Sequence, residues 1–453
     1  MEKNSQNKPL SGIFIGSFDL LTGIRLCYQK KFNELTDLQI DDIIKISLSN
    51  VHRQEQRSFE NFAISTIEIQ CYQLLVVNAI FSIASSIKNK FNTYYSVSLI
   101  FDSNKIRKNE HLNEMLIFWT KILANNVKNL LTQNNAKQDA SNANYSSLEG
   151  IIDRISDECS TLVQSQINNL PSIDFIKSFD SNFYAAALTS HLQTQMTTVI
   201  ELPPQSTDSE SSFPQQLKNS KFNDLSCFLA HFTLPSQLEL SSLEVKNYPT
   251  PGLFLQIVCS QKVPLEEFLT ISPRPTTWIR LQNMKIFRTN EKLFLDQYKN
   301  AVQSNLYNNE NDSTNSTISP YLRPFWSISS KLKKEQINKL IVSSINNSNC
   351  SSWVLSTLSM IQESPKFVKK MTTEQSFGSL IKLIFAFIAI KNEKIGINNE
   401  NQDFLSMDQI IDIQKNELDL ENNDDLLIVI SIAQIFDNNT YKQMQQFLAN
   451  NIK

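Results

Sequence analysis

Short β-prone runs dominate the N-terminal part of the chain, and one long amphipathic segment follows them. Residues 11–18 and 24–29 flank a turn in which Gly23 can take the positive φ that a hairpin bulge requires, so they predict a β-hairpin. A helical or mixed segment is expected near 38–50. Further strands are expected at 66–72, 74–83 and 94–101. Across 110–131, apolar residues recur every three or four positions, which predicts a helix lying on the sheet.

Helix and strand patterns alternate in the middle of the chain. A polar stretch at 132–144 separates the first part from a helix near 147–167. The segments with helix or strand patterns that follow are 181–193, 197–202, 224–232, 252–259, 265–270 and 276–281, with a helical pattern at 285–302. A polar insert lies at 203–213. This order predicts an α/β layer whose sheet has few strands.

Helical patterns dominate the C-terminal part, where the β patterns vanish. Residues 304–319 are rich in Asn, Ser and Thr without an apolar period, which predicts a mobile loop. Helices are expected at 331–345, 351–363, 374–391, 406–415 and 425–436. Asp424 and Asp425 are placed to cap the last of them. Residues 377–390 and 426–435 are apolar on most sides, so they are expected to be the buried members of an all-α bundle.

These patterns predict an α/β fold in which an N-terminal antiparallel sheet with helices precedes an α/β part and then an all-α bundle. A chain of 453 residues is about three typical domain lengths, so two or three compact units are expected. The predicted divisions are a sheet domain at 8–135, a linker and helix at 136–180, a central α/β domain at 181–302, a mobile insert and connection at 303–330, and a helical bundle at 331–450.

Composition narrows the class of protein. Hydrophobic residues make up 41% and charged residues 19% of the chain, which is typical of globular proteins. The formal net charge of -3 gives no basic field, so nucleic acid is not expected as a partner. The six cysteines show no CxxC spacing and are expected to be reduced. The N-terminal residues lack the apolar core of a signal peptide, and Lys382 interrupts the longest apolar run before it reaches the roughly 20 residues of a membrane span, which predicts a cytosolic protein.

Motifs for catalysis are absent from the sequence. It contains no GxxxxGK(S/T), no GxGxxG, no GxSxG and no HExxH. His191 is the most tempting catalytic candidate because it ends a helix that leads into a strand, and the favoured alternative is an imidazole that satisfies free carbonyls at that helix end. The histidines show no ligand-like spacing, and the acidic residues at 417–425 lack the register of a calcium loop, which favours a solvated loop. We therefore predict no catalytic residue, no metal and no cofactor.

The tryptophans each fall in an apolar period, which favours core or interface anchors over a cofactor site. They are Trp119, Trp278, Trp326 and Trp353. Trp119 shares a helical stripe with Met115, Ile122 and Leu123. It is therefore expected to pack the long helix onto the first sheet.

The predicted order of domains resembles the longin plus DENN architecture of Rab-GTPase regulators. The hairpin FDLLTGIRLCYQ, with Gly23 and Arg25, is similar to the first two strands of a longin domain. The segment FYAAALTSHLQTQMTTVIEL at 183–202, then CFLAHFTLPSQ, PGLFLQIV and SPRPTTWIRLQNMKI, resembles in order and spacing the chromosome-nine open-reading-frame protein family linked to amyotrophic lateral sclerosis and frontotemporal dementia.

The resemblance covers most of the chain. The tail from Trp353 through IIDIQKNELDLENNDDLLIVISIAQIF is similar to the end of that family. The similarity runs over 11–436, apart from the polar inserts at 203–223 and 304–319, and it is strongest at SHLQT and PTTWI. It implies a longin-like domain at 8–135, followed by a DENN module with an α/β part and an all-α bundle.

The resemblance also implies partners and a function. It implies a stable complex with a second longin/DENN protein and a WD-repeat protein, in the cytoplasm and on lysosomal or endosomal membranes, with peripheral membrane association only through the complex. That complex stimulates GTP hydrolysis by Rab and Arf GTPases in endolysosomal trafficking and autophagy, and guanine-nucleotide exchange is also assigned to the family. The alternative function is a pure scaffold that stabilises its partners and places them on membranes without touching a GTPase.

In that family the arginine finger, a residue that neutralises charge at the γ-phosphate, is attributed to the longin domain of the partner. The arginines of the longin-like part of this chain are Arg25, Arg53, Arg57 and Arg107. No motif marks any of them, and solvated surface arginines are the favoured interpretation. No catalytic residue is therefore assigned, and activity is expected from the complex.

Overall fold

The computed structural model describes residues 9–19, 23–49, 62–84, 92–135, 145–168, 170, 181–203, 222–259, 268, 272, 274–289, 341–343, 350–397, 405 and 407–437. Contacts within the chain divide it into two compact units, Met1–Ser165 (unit 1) and Gln166–Lys453 (unit 2). The finer five-part division expected from the sequence stays a prediction. The predicted loop at 304–319 lies outside the described residues.

Unit 1 is built on an antiparallel five-stranded sheet with the order β2-β1-β5-β4-β3. The strands are β1 (Leu10–Asp19), β2 (Gly23–Lys31), β3 (Ala63–Ile69), β4 (Leu74–Ala84) and β5 (Asn92–Asp102). β1 and β2 form the predicted hairpin, in which Asp19 pairs with Gly23 at a φ of 75° that favours glycine. A 3-10 turn at Gln70–Tyr72 and the left-handed Gln73 separate β3 from β4. The predicted start of a strand at Leu74 is confirmed, whereas the preceding strand ends at Ile69 and not at the predicted residue 72.

Three α-helices are described in unit 1: α1 (Asp37–Leu48), α2 (Glu110–Asn135) and α3 (Glu149–Gln164). α1 approaches β1 closely at Gly16, where a Cβ would lie 3.0 Å from Cγ2 of Ile44. Beneath α1, the buried Asn78 side chain donates to the Ser47 carbonyl at 2.9 Å and accepts from Ser98 Oγ at 3.1 Å. These buried hydrogen bonds fix α1 on the sheet, because each polar group would cost free energy if left without a partner.

The long helix α2 lies on the sheet as the sequence predicts. Trp119 is fully buried, and α2 contacts β4 and β5. The other members of the predicted stripe, Met115, Ile122 and Leu123, are buried with it. The helix predicted near 147–167 is α3, and it packs against β1 and α2 within unit 1.

Unit 2 contains a mixed sheet with the order β11-β10-β9-β6-β8-β7. The strands are β6 (Thr198–Glu201), β7 (Ser242–Lys246), β8 (Leu255–Val258), β9 (Thr277–Arg280), β10 (Lys285–Thr289) and β11 (Ile341–Ser343). β7, β8, β6 and β9 run parallel, and β10 and β11 extend the sheet in antiparallel fashion.

The prediction of few strands and of a helix beginning at Lys285 is wrong. Lys285–Thr289 is β10, which pairs with β9, and Ile341–Ser343 is β11 in a segment that was expected to be helical. Such short strands form because a neighbouring strand completes their backbone hydrogen bonds, and a local pattern does not contain that neighbour. The C-terminal part is therefore not all helical.

Most helices described in unit 2 lie at the predicted positions. The described helices are α4 (Ser181–Gln193), α5 (Phe222–Ala230), α6 (Pro235–Leu238), α7 (Ser352–Glu363), α8 (Lys369–Ile397), α9 (Met407–Asp412) with a π-helical turn at Ile413–Glu417, and α10 (Asn423–Phe436). However, α6 was not predicted, and α8 extends beyond the predicted 374–391 at both ends. α10 is a buried member of this group, as predicted, since every residue from Asp425 to Gln434 is buried.

Helix α8 is less buried than the sequence indicates. Leu380, Ile384 and Phe387 enter the hydrophobic core of unit 2, where α8 contacts α7 and α10. Phe385, in contrast, is 50% exposed, so the prediction that 377–390 is buried on most sides is wrong. Residues Lys369–Ile395 are long and apolar enough to cross a membrane by length and composition, but a helix that contributes a stripe to a core passes the same test.

Candidate functional site

The two short segments that carry the strongest resemblance lie side by side in the core of unit 2. Ser190 and Thr194 belong to SHLQT, which closes α4, and each places a hydroxyl oxygen 2.8 Å from Oγ1 of Thr277, from PTTWI on β9. All three residues are buried. The motifs therefore form a hydroxyl network that ties α4 to the sheet, and no substrate reaches them in this arrangement.

His191 lies beside that network and has both ring nitrogens engaged. Nδ1 is 2.8 Å from Oγ1 of Thr198, and Nε2 is 3.2 Å from Oγ1 of Thr233. Burial lowers the pKa of His191 to about 3, and hydrogen bonds to the backbone of Phe232 and Leu229 partly oppose this shift. The imidazole is therefore neutral at pH 7. The expectation that His191 satisfies free carbonyls at its own helix end is wrong about the partners, because Thr198 on β6 and Thr233, which follows α5, engage both ring nitrogens.

Asp425 joins the starts of two helices in unit 2. Its carboxylate accepts hydrogen bonds from Ser351 Oγ and Ser352 Oγ, each at 2.5 Å, and from the Trp353 backbone N–H at 3.1 Å. It also accepts from the backbone N–H of Asn422, whose own side chain caps α10 by accepting from the Asp425 backbone N–H. We call these five residues the Asp425 cluster.

The Asp425 cluster corrects two predictions. The N-cap of α10 is Asn422, and Asp425 occupies the third helical position of a capping box. The acidic stretch at 417–425 is only partly a solvated loop, because Asp425 is 3% exposed. Asp424 is also used internally, since its carboxylate accepts from Gln193 Nε2 at 2.9 Å. The side chains of Asp424 and Asp425 therefore hold helices together.

The carboxyl ends of parallel strands are where α/β sheets commonly bind ligands. At that end of the unit 2 sheet, Glu201 on β6 pairs in register with Arg280 on β9. The Glu201 carboxylate accepts from Arg280 Nε at 2.9 Å and from Trp278 Nε1 at 2.6 Å, and the Arg280 guanidinium lies 5.2 Å from the Phe287 ring. The Glu201 carboxylate and the Arg280 guanidinium neutralise each other, so this pair holds the two strands in position and offers no unpaired charge to a ligand. Sequence reasoning missed it because the pairing depends on the register of two strands.

The candidate arginines of unit 1 have different environments. Arg25 is exposed on β2, the edge strand of the sheet. Arg107 Nη2 donates to the carbonyls of Val163 and Ser165 at 2.8 and 2.7 Å, so this side chain holds the end of α3. Arg53 and Arg57 lie outside the described residues. The solvated interpretation is wrong for Arg107, whose hydrogen bonds to these two carbonyls are partly buried in unit 1.

The edge strand β2 also exposes apolar side chains. Ile24 is 42% and Leu26 is 40% exposed on either side of Arg25. β2 pairs with β1, and its other edge has no partner strand within the part of the chain that the structure describes. An open edge with exposed apolar residues can pair with a strand of another protein.

Thiols and possible metal ligands give no sign of reactive chemistry in the described residues. All six cysteines are free, and burial raises the pKa of Cys159 and raises that of Cys227 to about 11, which suppresses the thiolate. His111 Nδ1 lies 3.6 Å from Oε2 of Glu114, one helical turn away. No group of three potential metal ligands occurs among the residues described. Trp119 and Trp278 are fully buried as expected, and Trp326 lies outside these residues.

The fold and these contacts define the class of protein. An antiparallel longin-like sheet with helices is followed by a DENN-like module with a mixed sheet and helices. Its polar networks hold the fold together. The chain matches the C9orf72-like protein family over residues 42–293, more than half of its length. It therefore belongs to that family. No curated protein matches the chain.

Proposed function

We propose that this protein is a regulatory subunit of a DENN-type complex that acts on Rab and Arf GTPases in endolysosomal trafficking and autophagy. Membership of the C9orf72-like family, over a match that covers parts of both units, carries the proposal. The geometry supports it, because the polar clusters of unit 2 are occupied in holding helices and strands. A protein with such a layout acts through its surfaces.

The proposed partners are a second longin/DENN protein and a WD-repeat protein. The open edge of β2 supports a docking role for unit 1, since Ile24 and Leu26 present apolar surface on a strand whose outer edge is unpaired among the described residues. Recruitment from the cytoplasm to lysosomal or endosomal surfaces would follow from assembly of that complex.

In this proposal the partner supplies the arginine finger. Arg107 is held by two carbonyls at the end of α3, so it is not available to reach a γ-phosphate. Arg25 is exposed on a strand, where the backbone is fixed by pairing with β1. A finger needs a position that reaches into the nucleotide site of the GTPase, and an edge strand does not extend from the surface as a loop does.

The experiment is single-turnover GTP hydrolysis, and release of labelled GDP, by candidate Rab and Arf proteins with the chain alone and with the complete complex. We expect the complex to accelerate hydrolysis or exchange and the chain alone to change either rate by less than about tenfold, or about 1.4 kcal/mol. Arg25→Ala should leave the rate of the complex unchanged. A larger acceleration by the isolated chain that Arg25→Ala abolishes would refute the assignment of the finger to the partner.

A pure scaffold is the second candidate function. The use of Arg107 as a helix clamp favours it, because that arginine has a structural role where a catalytic one was considered. In the same assays a scaffold would leave both rates unchanged in the complete complex. Loss of the partner proteins from cells lacking this chain would then identify stabilisation as its function.

A further inference from the structure

The connection between α7 and α8 exposes an aromatic residue in a basic segment. Phe367 is 90% exposed, more than any other large hydrophobic residue in the described part of the chain, and Met371 is 51% exposed. Residues 365–371 (PKFVKKM) contain three lysines and no acidic residue. We call this segment the α7–α8 tip.

The tip has a fixed backbone. The N–H of Lys369 donates to the Pro365 carbonyl at 3.2 Å, and the N–H of Thr372 donates to the Val368 carbonyl at 2.9 Å. The hydroxyls of Ser364 and Thr372 lie 3.0 Å apart and join the end of α7 to the start of α8. The helical path of α8 therefore begins before Lys369, and Phe367 is held in its exposed position by a turn that is already formed.

Helical spacing sorts the side chains of the tip into neighbouring rows. Phe367 and Met371 are four residues apart, so they lie on one side of the turn, and Lys366 and Lys370 form the adjacent row. Both apolar residues are exposed, whereas Val368 on another side is partly buried. The result is an apolar ridge with ammonium groups beside it.

We propose that the α7–α8 tip is a membrane contact that inserts Phe367 among the lipids of an anionic bilayer surface. Transfer of an aromatic ring from water to the level of the headgroups is favourable in free energy. The lysine stems can extend along the ring while their ammonium groups bind anionic phosphates and carboxylates. Lysine is depleted at the cores of protein interfaces, so the charge pattern favours a lipid surface over a protein pocket as the occupant.

The carboxylate beside Lys370 leaves the charge of that lysine largely in place. Glu374 Oε1 lies 3.9 Å from Lys370 Nζ, but both side chains are more than half exposed, so water and salt screen this ion pair. Glu363, at the end of α7, accepts a hydrogen bond from Ser359 Oγ at 2.8 Å. The inference goes beyond the proposed regulatory function, because it adds a direct membrane contact of this chain to recruitment through the partner proteins.

The test is sedimentation of the purified full-length chain, without partners, with phosphatidylcholine vesicles that contain or lack phosphatidylserine. We expect binding to the anionic vesicles, little binding to the neutral ones, and weaker binding at high salt. Phe367→Ser should lower the partition coefficient by about tenfold or more, since a phenyl group is lost from the apolar phase. Lys366→Gln with Lys370→Gln should lower it by about fivefold for each charge.

Two variants away from the tip serve as controls. Leu38→Ser removes another exposed apolar side chain, 67% exposed on α1, and Lys382→Gln removes an exposed lysine of α8. Both should bind anionic vesicles as the unchanged protein does. Phe367→Trp should retain binding, and brominated lipids should quench additional fluorescence relative to the unchanged protein.

Three results would overturn the proposal. One is failure of the folded chain to bind anionic vesicles, and another is equal binding to neutral and anionic vesicles. The third is binding that Phe367→Ser and the lysine variants leave intact while circular dichroism shows every variant to be folded. If the complete complex shields Phe367 from solvent and the chain alone does not bind lipid, the tip is a protein contact instead.

Discussion

Replacement of Asp425 tests whether one carboxylate holds α7 and α10 together. The side chain is 3% exposed and accepts hydrogen bonds from Ser351, Ser352, Trp353 and Asn422. Asp425→Ala removes the carboxylate, so the buried hydroxyl and N–H groups that donate to it lose their hydrogen-bond acceptor. Hydrogen bonds to a charged group contribute about 1.5–3 kcal/mol each, and a lost helix cap costs about 1 kcal/mol. Because bonds to one carboxylate are not additive, we expect a total loss of about 3–5 kcal/mol.

A graded series separates the contributions. Asp425→Asn keeps one carbonyl oxygen and loses the charge, so it should be destabilised by less than Asp425→Ala, by about 1–3 kcal/mol. Glu421→Gln is the matched control, since Glu421 is an exposed acidic residue in the same segment. The free energy of unfolding of Glu421→Gln should lie within about 0.5 kcal/mol of that of the unchanged protein.

The assay is urea unfolding at pH 7, followed by circular dichroism and by tryptophan fluorescence. Because the chain has two compact units, two transitions are expected, and only the transition of unit 2 should shift. Trp353 belongs to the Asp425 cluster and reports on that unit, whereas Trp119 reports on unit 1. If Asp425→Ala unfolds at the same urea concentration as Glu421→Gln, the cluster does not stabilise unit 2 and the argument is refuted.

Two further predictions concern buried aromatic rings. The folded state keeps His191 neutral, with a pKa of about 3 against an ordinary value of 6.5, so the unfolded state binds the extra proton below pH 6.5 and stability falls as the pH drops from 6.5 towards 3. Between pH 7.5 and 5.5 the titration of His191 should lower the free energy of unfolding by about 1.4 kcal/mol. In urea unfolding, the stability of His191→Gln should therefore depend less on pH than that of the unchanged protein. Equal pH dependence in both proteins would contradict this account. Trp119→Ala should destabilise unit 1 by about 3–5 kcal/mol because the indole is fully buried between α2 and the sheet, and an unchanged unfolding midpoint would show that the cavity is filled by repacking.

The sequence by itself determined the elements that have a strong internal period. α4 begins and ends at the predicted residues, and β4, β5 and α2 were predicted within a few residues. Burial of Trp119 and of α10 followed from apolar spacing, because a helix with a wide apolar face must cover it. Family membership was also apparent from segments in order along the chain, and the family match confirms it.

Only the tertiary structure decided which distant residues meet. SHLQT and PTTWI are 80 or more positions apart, and their contact through Thr277 places both motifs in the core. β10 and β11 are strands because neighbours complete their hydrogen bonds, and the outer face of α8 is exposed because only one stripe of it contacts the core. These outcomes depend on long-range pairing and on which surface each helix faces. A local pattern specifies how a segment folds but not what will lie against it.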